Sequence, residues 1–115
     1  MTYKERTQDI YDQMMQGKLL DAFDQYYGEN VVMTDSNGTR EGKVDARVFE
    51  VQFVGMIQEV HGMEVKSIVS DEENGIVFHQ STMDVTFKDG NRVQMEQVGV
   101  QQWEGDFIVN EKFYN

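Results

Sequence analysis

A chain of 115 residues is long enough to bury one hydrophobic core unaided, and with no cysteine and only two histidines it offers neither a disulfide framework nor a thiolate or His-rich metal site, so no cofactor is expected. Its formal charge of −11, from 21 acidic against 10 basic residues, repels phosphate backbones and anionic lipid, so no nucleic acid and no membrane is expected as a partner. No signal-peptide pattern and no apolar run near the ~20 residues of a membrane span is visible, which makes the cytoplasm the expected compartment of a single domain over residues 1–115.

Residues 3–16 read as an amphipathic helix, with Tyr3, Thr7, Ile10 and Met14 on one stripe and Gly17 as its stop. Leu19, Leu20, Phe23, Tyr26 and Tyr27 form a short second helix ended by Gly28. Residues 30–35 are a strand whose apolar part is Val31, Val32 and Met33. Asp35-Ser36-Asn37-Gly38 is a turn, because Asp and Asn bond their own backbone and Gly takes positive φ cheaply. Residues 43–61 read as a long helix with Phe49, Phe53, Met56 or Ile57, and Val60 on its buried stripe. Gly62 ends it, and His61 stands where a cation favours the helix dipole. A strand over 63–70 follows, then the acidic run Asp71-Glu72-Glu73 as a solvated turn reaching Gly75.

Residues 75–115 read as three long strands joined at Lys88-Asp89-Gly90 and Glu104-Gly105-Asp106. A three-residue hairpin needs a left-handed third residue, which Gly90 supplies. Phe87 then faces Asn91, and the pairing runs Val85 to Val93, Met83 to Met95, Ser81 to Gln97 and His79 to Gly99. Opposed residues share a face. That face carries Val77, His79, Ser81, Met83, Val85 and Phe87 against Val93, Met95, Gln97, Gly99, Gln101 and Trp103. With Trp103 opposite Phe107, the last strand adds Val109, Glu111 and Phe113. A slip of one residue would set Thr82, Asp84 and Thr86 against Val93 and Met95, a poorer match of polarity. Helices gathered on one face of a curved antiparallel sheet make an α+β architecture. His79, Gln97, Gln101 and Glu111 set into an otherwise apolar face point to a pocket rather than a solid core.

The order of elements, with Gly17-Lys18-Leu19 between the first helices and a strand running into Asp35, resembles the SnoaL-like branch of the nuclear transport factor 2-like superfamily. Met83 to Gly90 (MDVTFKDG), Val98 to Trp103 (VGVQQW) and Ile108 to Tyr114 (IVNEKFY) carry the resemblance most closely. It implies a cone of three helices on a curved sheet, open at one end to a small, often hydrophobic or polyketide-like ligand, and a homodimer through the outer sheet face. The fold hosts cyclases, isomerases, dehydratases, hydrolases and binding modules, so it does not by itself fix an activity. In steroid isomerases of the superfamily the general base follows the first strand, where Asp35 precedes Gly38. Their oxyanion acid falls on Gly99, and their oxyanion tyrosine near Ile10, with Tyr11 one place off. The catalytic aspartate of epoxide hydrolases falls near Phe113. Neither activity is therefore carried over.

His79 and Glu111 are the chemically interesting pair. In the expected register they flank Gly99 from either side, ~10 Å apart along the sheet, with no side chain between them. A carboxylate within reach would orient the imidazole as an acid or base near neutrality. The alternative is a core hydrogen bond for His79 and a solvent-facing Glu111. Asp35 is a candidate base, or simply the acceptor of an Asx turn. Gln97 and Gln101 could orient a ligand oxygen, with Ser81, Met83, Met95, Gly99, Trp103 and Phe113 completing the expected pocket. On the opposite face Val98, Val100 and Ile108 among Glu96, Gln102, Asn110, Lys112 and Tyr114 give an apolar centre with a polar rim, the pattern of a dimer contact. Two readings result: an acid/base enzyme using Asp35, His79 and Glu111 on a small apolar carbonyl compound, or a non-catalytic ligand-binding or dimerisation module.

Overall fold

The computed structural model describes residues 1–114. Helix α1 (Tyr3–Met15) opens with a capping box, in which Thr2 Oγ1 accepts from the Glu5 amide and the Glu5 carboxylate accepts from the Thr2 amide. The Glu72 carboxylate accepts from the Tyr3 and Lys4 amides at 2.7 and 3.1 Å. The acidic turn thus supplies a negative group to a helix N-terminus, beyond the solvated role expected of it. Thr7, Ile10 and Tyr11 are the buried face of α1. Helix α2 (Leu19–Tyr26) follows, and Tyr27, expected to lie in it, instead opens strand β1 (Tyr27–Asp35).

Strand β2 (Gly38–Glu41), which the sequence did not suggest, pairs back on β1 with Asp35 opposite Gly38. Helix α3 spans Lys43–Met56 and stops five residues short of the expected end; β3 runs over Ile57–Asp71. Two forces decide this. Ile57 and Val60 are β-branched and pair with Phe87 and Val85 of the next strand. The Lys88 amide also takes the Met56 carbonyl at 2.8 Å, which closes the helix end. His61 is accordingly no helix cap: it sits in β3 with Nε2 2.7 Å from Thr86 Oγ1. Of the expected buried stripe, Phe49 and Phe53 are half-buried, whereas Met56 and Val60 are exposed.

Strands β4 (Ile76–Phe87), β5 (Arg92–Glu104) and β6 (Phe107–Tyr114) complete a six-stranded sheet in the order β2-β1-β6-β5-β4-β3, with β1 and β6 parallel and all other pairs antiparallel. The β4–β5 register is the expected one, His79 opposite Gly99 and Met83 opposite Met95. Gly90 has φ +93°, and the Phe87 amide donates to the Asn91 carbonyl at 2.8 Å. The β5–β6 register differs. The loop holds two residues rather than three, so Glu104 faces Phe107 and Trp103 faces Ile108. A bulge then leaves Val109 unpaired and sets Gln101 opposite Glu111 and Gly99 opposite Phe113. One slip plus one bulge restores the inward direction of Glu111 and Phe113. It does not do so for Ile108, expected on the outer face but fully buried in the core beside Trp103, while Phe107 turns outward.

The core lies between helices and sheet, from Ile10, Phe23 and Tyr26 to Val31, Met33, Val77, Trp103 and Ile108. Among the described residues no helix is long and apolar enough to cross a membrane.

Candidate functional site

Period-two alternation aims His79, Ser81 and Met83 of β4, Met95, Gln97 and Gln101 of β5, and Glu111 and Phe113 of β6 at the helices. They enclose, with Tyr11 and Ile10 of α1, Phe23 of α2, Tyr27 and Met33 of β1 and Phe49, Glu50 and Phe53 of α3, a cavity of about 210 Å³. That is below the ~300–1,000 Å³ of drug-sized sites, so its occupant is small. The cavity shares Met14, Leu19, Phe53 and Met83 with an adjoining apolar groove of about 680 Å³ beside α2 and β3.

At the deep end, a chain of hydrogen bonds runs across four strands, β1, β6, β5 and β4. Glu111, fully buried, accepts from Tyr27 Oη at Oε1, and from Gln101 Nε2 (2.9 Å) and His79 Nε2 (3.1 Å) at Oε2. His79 Nδ1 lies 2.5 Å from Tyr11 Oη, which is also 3.2 Å from Ser81 Oγ. A lone pair at Nε2 would face a carboxylate oxygen, so Nε2 carries a proton and Nδ1 accepts from Tyr11 in the neutral ring. Gln101 Oε1 accepts from Thr7 Oγ1 (2.8 Å) and Trp103 Nε1 (2.9 Å), which fixes its amide. Burial, with the charge of Glu111 adding to it, pushes the Tyr11 hydroxyl up to about 12. The same two causes raise Tyr27 well above the ordinary value. Both phenols stay protonated and act as donors.

His79 and Glu111 therefore meet, although Glu111 stands opposite Gln101 rather than across Gly99 as expected. Gly99 matters for its space: a Cβ there would overlap the imidazole. Gly99 and Trp103, both expected in the pocket, stand behind its wall. Gly99 underlies the ring, and Trp103 stacks on Tyr3 at 5.2 Å between centroids.

A second polar group lies at Asp35, Ser36, Asn37 and Arg40. Asp35 accepts from the Asn37 amide (2.8 Å), the Asx-turn bond its sequence suggests, and from both Arg40 terminal nitrogens (3.0 and 2.8 Å). The hydrogen bonds from Arg40 foremost hold its carboxyl below the usual range, so it stays ionised and paired. The Arg40 guanidinium also lies 3.8 Å from the Phe49 ring centroid.

Sequence reasoning missed Tyr27, Arg40 and Glu50, and passed over Tyr11 as one place out of line. Glu50 is the most consequential. Burial first, then the negative field of Glu111, pushes it up to about 7 against the pull of Arg40. A signal for it exists: Ala46, Glu50 and Phe53 fall at helical spacing on the only stripe of α3 that packs inward.

The fold is shared with a candidate SnoaL-like polyketide cyclase of Mesorhizobium loti (TM-score 0.84, 25% identity, all of both chains covered). It is shared too with an NTF2-like protein of unknown function from Burkholderia pseudomallei (0.81, 15%, 99% of this chain and 91% of that one). An LEH-like epoxide hydrolase of M. tuberculosis is also similar (0.77, 16%, 97% and 80%). No curated protein matches the sequence. The SnoaL-like domain family matches residues 1–115 from end to end, and to that family, with its α+β cone, the chain belongs.

Proposed function

We propose that the domain binds a small, mainly apolar molecule bearing a carbonyl or hydroxyl oxygen and acts on it by general acid/base chemistry. The observation that carries this reading is the Glu111–His79–Tyr11 chain, whose Tyr11 end lines a cavity walled in large part by apolar and aromatic side chains. Tyr11 donates to the ligand oxygen in the form of the site where His79 carries a proton on both nitrogens: Nδ1 then donates to Tyr11 Oη and can replace a proton that Tyr11 gives up, while Glu111 holds Nε2. Asp35 and Arg40 form the charged part of the wall and position the ligand, and Gln97, Met83, Met95 and Phe113 complete it. The adjoining groove suits an elongated, polyketide-like compound whose polar end enters the cavity. The name borne by the Mesorhizobium loti relative agrees with such a substrate. A second reading has its own support. Glu111 already accepts from three protein donors, as in a structural network, and a binding module without turnover would look the same.

The test uses 2-tetralone in D₂O. Binding is expected to shift the amide resonances of His79, Ser81, Met83, Met95 and Gln97, and deuterium should enter α to the carbonyl about 100-fold faster with wild type than with His79→Gln. Equal exchange rates with binding intact would leave the binding module. Shifts confined to the outer sheet face would sink both readings.

We further propose a homodimer through that outer face. Val69, Phe78, Val100 and Lys112 form one row across four strands, with Val98 and Tyr114 in the next row, and Val69, Phe78 and Tyr114 are more than half exposed. Val100→Glu would bury a charge at the centre of the contact and is expected to give monomers. Sedimentation showing wild type monomeric at high micromolar concentration would remove the idea.

A further inference from the structure

Three carboxylates line the cavity, and two are occupied. Asp35 is bound twice by Arg40 and once by the Asn37 amide; Glu111 accepts from Tyr27, Gln101 and His79. Glu50 is different. It projects from α3 between Phe49 and Phe53, which also line the cavity, and among the described residues it has neither a hydrogen bond nor an ion pair. Its oxygens are not sealed in: the one polar side-chain atom buried without a partner, among the described residues, is Arg40 Nε. A carboxylate with unused lone pairs that lines the cavity, with no cation within ion-pair distance, is free to bond an occupant of that cavity.

From this geometry we propose that Glu50 is the general base of the site, the group that takes a proton from carbon or oxygen of a bound molecule while Tyr11 holds its oxygen. The inference rests on the acid/base reading above and adds the residue that reading lacks, since Tyr11 is a donor and Asp35 is held ionised by Arg40. The groups facing Glu50 are Glu111 on β6, Tyr27 and Asp35 on β1 and Arg40 on β2, with Tyr11 and His79 lining the same cavity. Their net effect, together with burial, places its titration near neutrality, where a base is both available and strong enough to act.

The probe is 5-nitrobenzisoxazole, a small apolar heterocycle that reports a base without needing the natural substrate. A carboxylate takes the C3 proton, the C3–H electron pair becomes the third bond of a nitrile, and the ring N–O bond breaks with its pair on oxygen. The coloured nitrophenolate is read directly. Wild type is expected to open the ring at a rate that rises with pH to a plateau, with its midpoint near 7. Glu50→Gln should lose about 100-fold or more, while Glu50→Asp keeps part of the rate. Binding of 2-tetralone, followed by the amide shifts of Ser81, Met83 and Met95, should persist in Glu50→Gln. A Glu50→Gln rate within about threefold of wild type would overturn the inference, and so would a collapse on Asp35→Asn with the Glu50→Gln rate intact. Either result leaves the tetralone binding, and with it the broader reading, standing.

Discussion

Glu111→Leu is expected to cost about 3–5 kcal/mol of folding stability, because it leaves Tyr27 Oη, Gln101 Nε2 and His79 Nε2 without an acceptor in a region that excludes water. For a domain of this size that lowers Tm by on the order of 10 °C or more. The sharper measurement is a cycle with Tyr27→Phe. Alone, the phenylalanine should cost about 1.5–3 kcal/mol, the worth of a hydrogen bond to a charged group. In the Glu111→Leu background it should cost nothing or stabilise, since one orphaned donor is then removed. Urea titrations showing the two losses to be additive would mean that Tyr27 and Glu111 do not act as one unit.

The second large effect is a dependence on pH at Glu50. Its carboxyl is pushed up to about 7 in the folded chain, from the ordinary 4.5. Between those values the native state binds the proton more tightly than the unfolded state does. Stability therefore falls as pH rises through that window and is level above it. A shift of this size corresponds to about 2–3 kcal/mol once the partial exposure of the side chain is allowed for. Glu50→Gln should match wild type at pH 4 and exceed it by that amount at pH 8. Denaturant midpoints that differ equally at both pH values would show that the ionised carboxylate is not strained in the cavity. A site that destabilises its own scaffold in the ionised state is the signature expected of a functional carboxylate rather than a structural one.

How much of this was legible in the chain depends on whether one element carried the information. The β4 alternation of His79, Ser81 and Met83, closed by Gly90, determines its own face and register, so the deep wall could be read residue by residue. Residues 57–62 could not, because Ile57 and Val60 suit a helical stripe and a strand equally, and the deciding bond comes from Lys88, 32 positions beyond Met56. The β5–β6 error has a similar origin: loop length and bulge are separate choices, and two compensating ones kept Glu111 and Phe113 inward while reversing Ile108. Tyr27 follows the helical spacing of Phe23 yet opens β1, and Arg40 lies on a strand that the sequence does not announce. Tyr27 reaches the site through the pairing of β1 with the distant β6, and Arg40 through the local β1–β2 hairpin, where it stands opposite Met33. Glu50 is hard to read because Phe49, Phe53, Met56 or Ile57, and Val60 make a complete apolar stripe without it, and an acidic residue beside such a stripe reads as solvated.

The space at Gly99 has a consequence for how such domains can diverge. The imidazole of His79 occupies the volume that a side chain at 99 would fill, on the neighbouring strand and at the same level. Residues 79 and 99 are therefore a single heritable character. A larger residue at 99 has to push the ring at 79 off its bonds to Tyr11 and Glu111, so a lineage that keeps those bonds is held to glycine at 99. Relatives of this fold should accordingly fall into two groups at this level of the cone, with the polar group presented from one strand or from the next, and few intermediates between them.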